Sequence, residues 1–129
     1  MTVHQFEYDT GYAGPALPVV ELGLRGRDAT KTQIVAALVD SGADATLIPT
    51  HLLNAIEARK IDSRWARNIS GIRYRVAMYA VDLSVGSFTF PDTEVIANQQ
   101  TDEIVLGRDV LNQLIVTLNG LANIVEITR

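Results

Sequence analysis

The sequence predicts an all-β domain, and three observations carry that reading. Apolar residues come in short runs rich in Val, Ile and Leu. Several of those runs alternate apolar and polar positions or are continuously apolar. Gly, Pro, Asn and Asp interrupt them at intervals too short for long helices. The pattern adds up to about eight short strands with two short helices.

Residues Thr2 to Pro18 hold aromatics together with Gly11, Gly14, Pro15 and Pro18, and read as an irregular arm with room for one short strand. The arm is assigned to residues 1–18 and the domain proper to residues 19–129. Val19 to Leu24 reads as a strand and Arg25-Gly26-Arg27-Asp28 as a polar turn. Thr32 to Val39 contains the run Ile34-Val35-Ala36-Ala37-Leu38-Val39, which predicts a strand buried on both faces. Asp40-Ser41-Gly42-Ala43-Asp44 ends it, and the short strand Thr46-Leu47-Ile48 follows.

Pro49 suits the first turn of a helix over Thr50 to Lys60, where Leu52, Leu53 and Ile56 recur at helical spacing. Ile61 to Arg73 is polar and basic, with one Trp (Trp65) and one Gly (Gly71). Alternation returns from Tyr74 to Val85, with Gly86-Ser87 as a turn and Phe88 to Phe90 as the returning strand. Pro91-Asp92 reads as a further turn before Thr93 to Ala97. Asn98 to Asp102 is a loop, and Ile104-Val105-Leu106 a short strand. Asp109 is placed to cap a helix over Val110 to Leu114. Asn119-Gly120 between Ile115–Leu118 and Ala122–Ile127 predicts a tight hairpin.

With 129 residues the chain has one domain's worth of core. Hydrophobic residues make up 47% and charged residues 20%, an ordinary globular mix. A net charge of −4 gives nucleic-acid binding no electrostatic support. Basic residues gather between Arg59 and Arg75, diluted by Glu57 and Asp62, and read as a solvated face. The absence of cysteine excludes a disulfide scaffold, a thiolate metal site and a cysteine nucleophile. Met1 to Glu7 shows no apolar signal core, and no apolar run approaches the roughly 20 residues of a membrane span. The expectation is a soluble, cytoplasmic protein without membrane partners. His4 and His51 lack neighbouring ligands, so no metal and no cofactor is expected. Asn68-Ile69-Ser70 fits a glycosylation pattern but has no secretory context, and no G-x-S-x-G elbow is present.

Asp40 stands at the end of the most apolar segment, where a carboxylate loses hydration unless a partner compensates. Ser41 brings a hydroxyl beside it, and Gly42 lets another chain approach closely. Asp, Ser and Gly are also ordinary turn formers, so the tripeptide alone decides nothing. The longer string Ala37-Leu38-Val39-Asp40-Ser41-Gly42-Ala43-Asp44-Ala45-Thr46-Leu47-Ile48-Pro49 resembles the active-site loop of retropepsins, the retroviral-type aspartic proteases. About 65 residues on, Ile104-Val105-Leu106-Gly107-Arg108-Asp109-Val110-Leu111 is similar to that family's second signature.

The resemblance spans Val19 to about Ile127 and implies a single-domain retropepsin-like acid protease fold: closed, orthogonal and β-barrel-like, with a short C-terminal helix, and homodimeric. It implies an aspartic endopeptidase that activates a water between two carboxylates sharing one proton. Only one D-[ST]-G, at Asp40, ends an apolar run and leads into a second apolar strand, and the sequence has no internal repeat, so the resemblance implies that a second copy's Asp40 supplies the other carboxylate. By position, Ser41 is expected to bond across the twofold axis, Gly42 to offer its carbonyl to the substrate backbone, and Ala43 to complete the loop. Asp44 is expected beside the substrate, in a buried or half-buried ion pair with Arg108 that is as much structural as substrate-binding. A flap over the peptide substrate falls at Ile69, Ser70, Gly71 and Ile72, with fewer glycines than usual; an exposed loop is the competing reading. The extra strand after Asn119-Gly120 departs from the viral pattern and implies a dimer interface unlike their interleaved four-stranded sheet. The rival functional reading is a non-catalytic dimerisation or peptide-binding module of the same fold.

Overall fold

The computed structural model describes residues 2–129; Met1 lies outside the described residues. The elements run β1 (His4–Glu7), β2 (Val19–Arg25), β3 (Gln33–Val39), β4 (Leu47–Pro49), α1 (Thr50–Ala55), β5 (Arg59–Arg67), β6 (Arg73–Val85), β7 (Phe88–Asn98), β8 (Val105–Leu106), α2 (Arg108–Leu111), β9 (Ile115–Asn119) and β10 (Ile124–Thr128). The predominance of strands and the two short helices agree with the all-β expectation. No helix among the described residues is long and apolar enough to cross a membrane.

Seven strands form one sheet in the order β2-β3-β8-β4-β7-β6-β5, and β2 also pairs with β6. That extra pairing closes six strands into a barrel and leaves β5 appended outside it. The length of β6 makes both contacts possible: Arg73–Ala80 faces β5, while Asp82–Val85 faces β2. The interior is filled by Val20, Leu22, Leu24, Val81, Leu83 and Val85 from the closing strands, with Ile48, Leu53, Leu106 and Val110 plugging it from the loop side. These side chains are essentially inaccessible, and burying each contributes roughly 1.5–3 kcal/mol.

A separate three-stranded sheet, β1-β10-β9, joins the chain's two ends. Val125 and Ile127 of β10 are fully buried, and Phe6 and Tyr8 of the N-terminal segment pack on the same core. The N-terminal segment therefore contributes a strand to this sheet, antiparallel to β10 with His4 opposite Ile127. Beyond it the Asp9–Leu17 bridge closes an exposed loop.

Several local expectations are corrected. The helix after Pro49 stops at Ala55, because Glu57 takes a left-handed backbone (φ 55°). Ala58 N–H then bonds Leu53 C=O at 2.9 Å and Glu57 N–H bonds Asn54 C=O at 3.1 Å, a Schellman closure built without glycine. Arg59–Arg67 is a strand that the sequence pattern did not reveal, since most of its residues are exposed and alternation has no burial to follow. Pro91-Asp92 is a bulge within the continuous strand β7, where Asp82 Oδ1 accepts the Asp92 N–H at 2.9 Å. Helix α2 begins at Arg108 with Gly107 as its N-cap, two residues before the predicted start. The β9–β10 connection is four residues, Gly120 to Asn123, and the positive φ falls on Asn123 (55°). Strand β3 is central in its sheet, but only Ala37 is buried and Ile34 is 59% exposed, so the outward face is bare in the single chain.

Candidate active site

Asp40 leaves the end of β3 as the strand pairs with β8. Leu38 lies level with Val105, and Asp40 N–H bonds Leu106 C=O at 3.1 Å. The chain then turns sharply: Ala43 N–H returns to Asp40 C=O at 3.2 Å. Asp40 is half-buried, and its Oδ1 accepts the Gly42 N–H at 2.8 Å. A backbone donor two residues on thus compensates the hydration lost at the strand's end and fixes the carboxylate's orientation.

The second motif holds this loop from below. Arg108 N–H bonds Ala43 C=O at 2.9 Å. Its Nη1 donates to Ser41 C=O at 2.7 Å, and its Nη2 bonds Asp44 Oδ1. One planar guanidinium therefore spans both ends of the turn. The Asp44–Arg108 pair forms, but at the surface: the side chains are 91% and 40% exposed, so the expected burial is corrected for the single chain. Exposed pairs of this kind contribute about 1 kcal/mol at most. Gly107 must be glycine, because a Cβ there would lie 2.6 Å from the Ala45 carbonyl.

The deepest polar group is Thr46, which the sequence pattern submerged in an apolar strand. It is fully buried. Its hydroxyl donates to Asp109 Oδ1 at 2.8 Å and accepts the Gly107 N–H at 3.1 Å, while its own N–H bonds Asp109 Oδ2 at 3.0 Å. Asp109 Oδ1 also accepts the Val110 N–H at 2.9 Å. Asp109 therefore staples α2 to the Asp40 loop and is not the helix N-cap. The one hint in the sequence was a lone hydroxyl where loop becomes strand.

Strand register extends an apolar row away from Asp40. Leu38, Val105, Leu47, Ile96 and Met78 lie side by side across β3, β8, β4, β7 and β6. Asp62 of β5 continues the row opposite Met78. Asp62's carboxyl is held below the usual carboxylate range, first by the Ser63 N–H and then by Arg64.

Ser41, Gly42 and Asp44 are exposed and Ala43 half-buried beside Asp40. Ile69, Ser70, Gly71 and Ile72 lie apart from them, in the β5–β6 connection. Asn68 Oδ1 accepts the Ser70 and Ile72 N–H groups, both at 3.0 Å, and Gly71 takes the positive φ (83°) that this tight end requires. Two surface concavities, one lined by His4, Phe6 and Gly23 and one by His51, Asn98 and Asp102, do not include Asp40. Among the described residues no three or more His, Asp or Glu side chains cluster as a metal site would need.

Residues 30–113, which contain both the Asp40 loop and the Gly107-Arg108-Asp109 turn, match the family described as "gag-polyprotein putative aspartyl protease". The chain belongs to this family. Among solved structures it is similar to a retropepsin-like aspartic protease from Rickettsia conorii, with 11% identity, a TM-score of 0.63, and coverage of 98% of this chain and 91% of that one. It is also similar to EIAV protease complexed with the inhibitor HBY-793, with 18% identity, a TM-score of 0.61, and coverage of 79% of this chain and 91% of that one. At such identities the likeness establishes the retropepsin fold. Comparison with curated proteins gives no match.

Proposed function

We propose that this retropepsin-like aspartic protease is an endopeptidase whose active site is completed by two copies of Asp40, one from each chain of a homodimer. The observation that carries this reading is the prepared setting of Asp40: half-buried, oriented by the Gly42 N–H, on a loop clamped by Arg108. In the dimer one carboxylate takes a proton from water as it attacks the scissile carbonyl. The other gives its proton to the carbonyl oxygen; as the C–N bond breaks, the first carboxyl passes the proton it took from water to the leaving amine, and the second recovers a proton from the gem-diol. The β5–β6 tip, Ile69 to Ile72, serves as the lid over the peptide. The apolar row from Leu38 to Met78 forms the wall for its side chains.

A free sheet edge supports the shared site. Strand β9 borders the terminal sheet, reads Ile115-Val116-Thr117-Leu118-Asn119, and has neither charge nor proline to discourage pairing. Ile115 and Leu118 are 60% and 52% exposed. An antiparallel contact between two β9 strands is self-complementary and would join two terminal sheets into one of six strands. Because α2 is stapled to the Asp40 loop and β9 follows α2, such a seam would set the position of both aspartates. Leu118→Asp is expected to give a monomer by sedimentation at micromolar concentration and to lose cleavage with it. A Leu118→Asp protein that stays dimeric would place the interface elsewhere.

Arg108→Lys is expected to lower kcat/KM about tenfold or more, because a single ammonium cannot span Ser41 and Asp44. Unfolding stability should fall by only about 1 kcal/mol, as the pair is exposed. An unchanged kcat/KM beside a loss of stability would reduce Arg108 to a folding residue. The activity itself is tested by incubating wild type and Asp40→Asn with a mixed peptide library from acidic to neutral pH. Absence of any cleavage specific to the wild type would favour a peptide-binding module.

A further inference from the structure

Charge is unevenly spread along the chain. Six of its eleven Lys and Arg residues, but one of its fifteen Asp and Glu residues, lie between positions 59 and 75 on the β5–β6 hairpin. The hairpin sorts them by face. Asp62 lies opposite Met78 and Arg64 opposite Val76, so both occupy the face that continues the apolar row from Asp40. There Arg64 is neutralised by Asp62 at 3.4 Å and Glu94 at 3.1 Å.

The other face differs. Trp65 is level with Arg75, and Arg67 with Arg73. Trp65 is 56% exposed, with the Arg73 and Arg75 guanidiniums 4.8 and 5.4 Å from its ring centroid. Among the described residues no carboxylate lies within ion-pair distance of Arg67, Arg73 or Arg75. Stacking on the indole holds two guanidiniums in place and reduces the entropy that an anion must remove to bind them.

We propose that this strip is an exosite for an acidic segment of the protein substrate lying outside the cleft, an inference that rests on the protease reading. The complementary ligand is anionic and extended. Arg73 and Arg75 are two residues apart on one strand, about 7 Å, which is also the spacing of alternate side chains in an extended peptide. The strip therefore matches a segment with Asp or Glu at every second position. A long polyanion fits poorly, since the rest of the chain is strongly acidic and the net charge is −4.

The test uses two fluorogenic peptides with one scissile sequence, extended by either Glu-Ser-Glu-Ser-Glu or Gln-Ser-Gln-Ser-Gln. The expected result is about a tenfold lower KM for the acidic peptide at low ionic strength, with kcat unchanged, fading as salt rises. In Arg73→Gln/Arg75→Gln the ratio of the two kcat/KM values should fall to about one. An equal KM for both peptides in wild type, or a preference that survives the double substitution, overturns the exosite. Binding of the labelled acidic extension to Asp40→Asn, followed by fluorescence anisotropy, separates this proposal from the activity. Weakened binding in the triple variant supports the strip even if no peptide is cleaved. Tighter binding of polyuridylate or of phosphatidylserine vesicles at the same ionic strength overturns it.

Discussion

Asp40→Asn is expected to lower kcat/KM by about 10³-fold or more while leaving the fold in place. The magnitude follows from losing the group that both takes and gives the proton, since acid–base catalysis alone contributes about 10²–10⁴-fold. The fold should survive because the substitution is isosteric and the asparagine carbonyl can still accept the Gly42 N–H that Asp40 Oδ1 accepts at 2.8 Å. Thermal unfolding and sedimentation of the two proteins should therefore coincide. Mixing provides a sharper readout. If each site needs two Asp40 carboxylates, wild type randomly assembled with Asp40→Asn loses activity as the square of the wild-type fraction. A linear fall would mean that one chain carries a complete site, and cleavage within tenfold of wild type would remove Asp40 from the chemistry.

Thr46→Val is expected to cost about 2–4 kcal/mol in urea unfolding. Valine fills the same volume, so the loss comes from a backbone N–H left without an acceptor and a carboxylate left with one donor fewer. Gly107 N–H loses its acceptor and Asp109 Oδ1 loses a hydroxyl donor, both at a site with no exposure at Thr46. Each unsatisfied buried group costs about 1–3 kcal/mol, and more when it is charged. Thr46→Ser retains the hydroxyl and should recover most of the stability, losing only the packing of one methyl. A loss below about 1 kcal/mol for Thr46→Val would mean that water or a shifted Asp109 replaces the hydroxyl. Activity should fall together with stability, because the same bonds tie α2 to the Asp40 loop.

Locally encoded features were legible in the chain. The strands β2, β3 and β6, the loop Asp40-Ser41-Gly42 and the partnership of Asp44 with Arg108 could be anticipated from apolar runs and from two signatures in order. Features dependent on neighbours could not. Strand β5 has little burial to write a pattern into its residues, and it is held by pairing with β6. The end of α1 depends on Glu57 accepting a left-handed backbone, and the bulge at Pro91-Asp92 on a carboxylate ten residues earlier in sequence.

The sequence by itself determined the β class, the family and the identity of the candidate carboxylate, because these reside in contiguous residues whose chemistry does not require distant contacts. The tertiary structure alone decided which groups hold that carboxylate's loop, since Thr46 and Asp109 meet across 63 positions. It also decided that β10 occupies one side of β9 and leaves the other edge open, and that three arginines share a hairpin face with Trp65. Each of these is a matter of register and closure, set by how strands pair after they form.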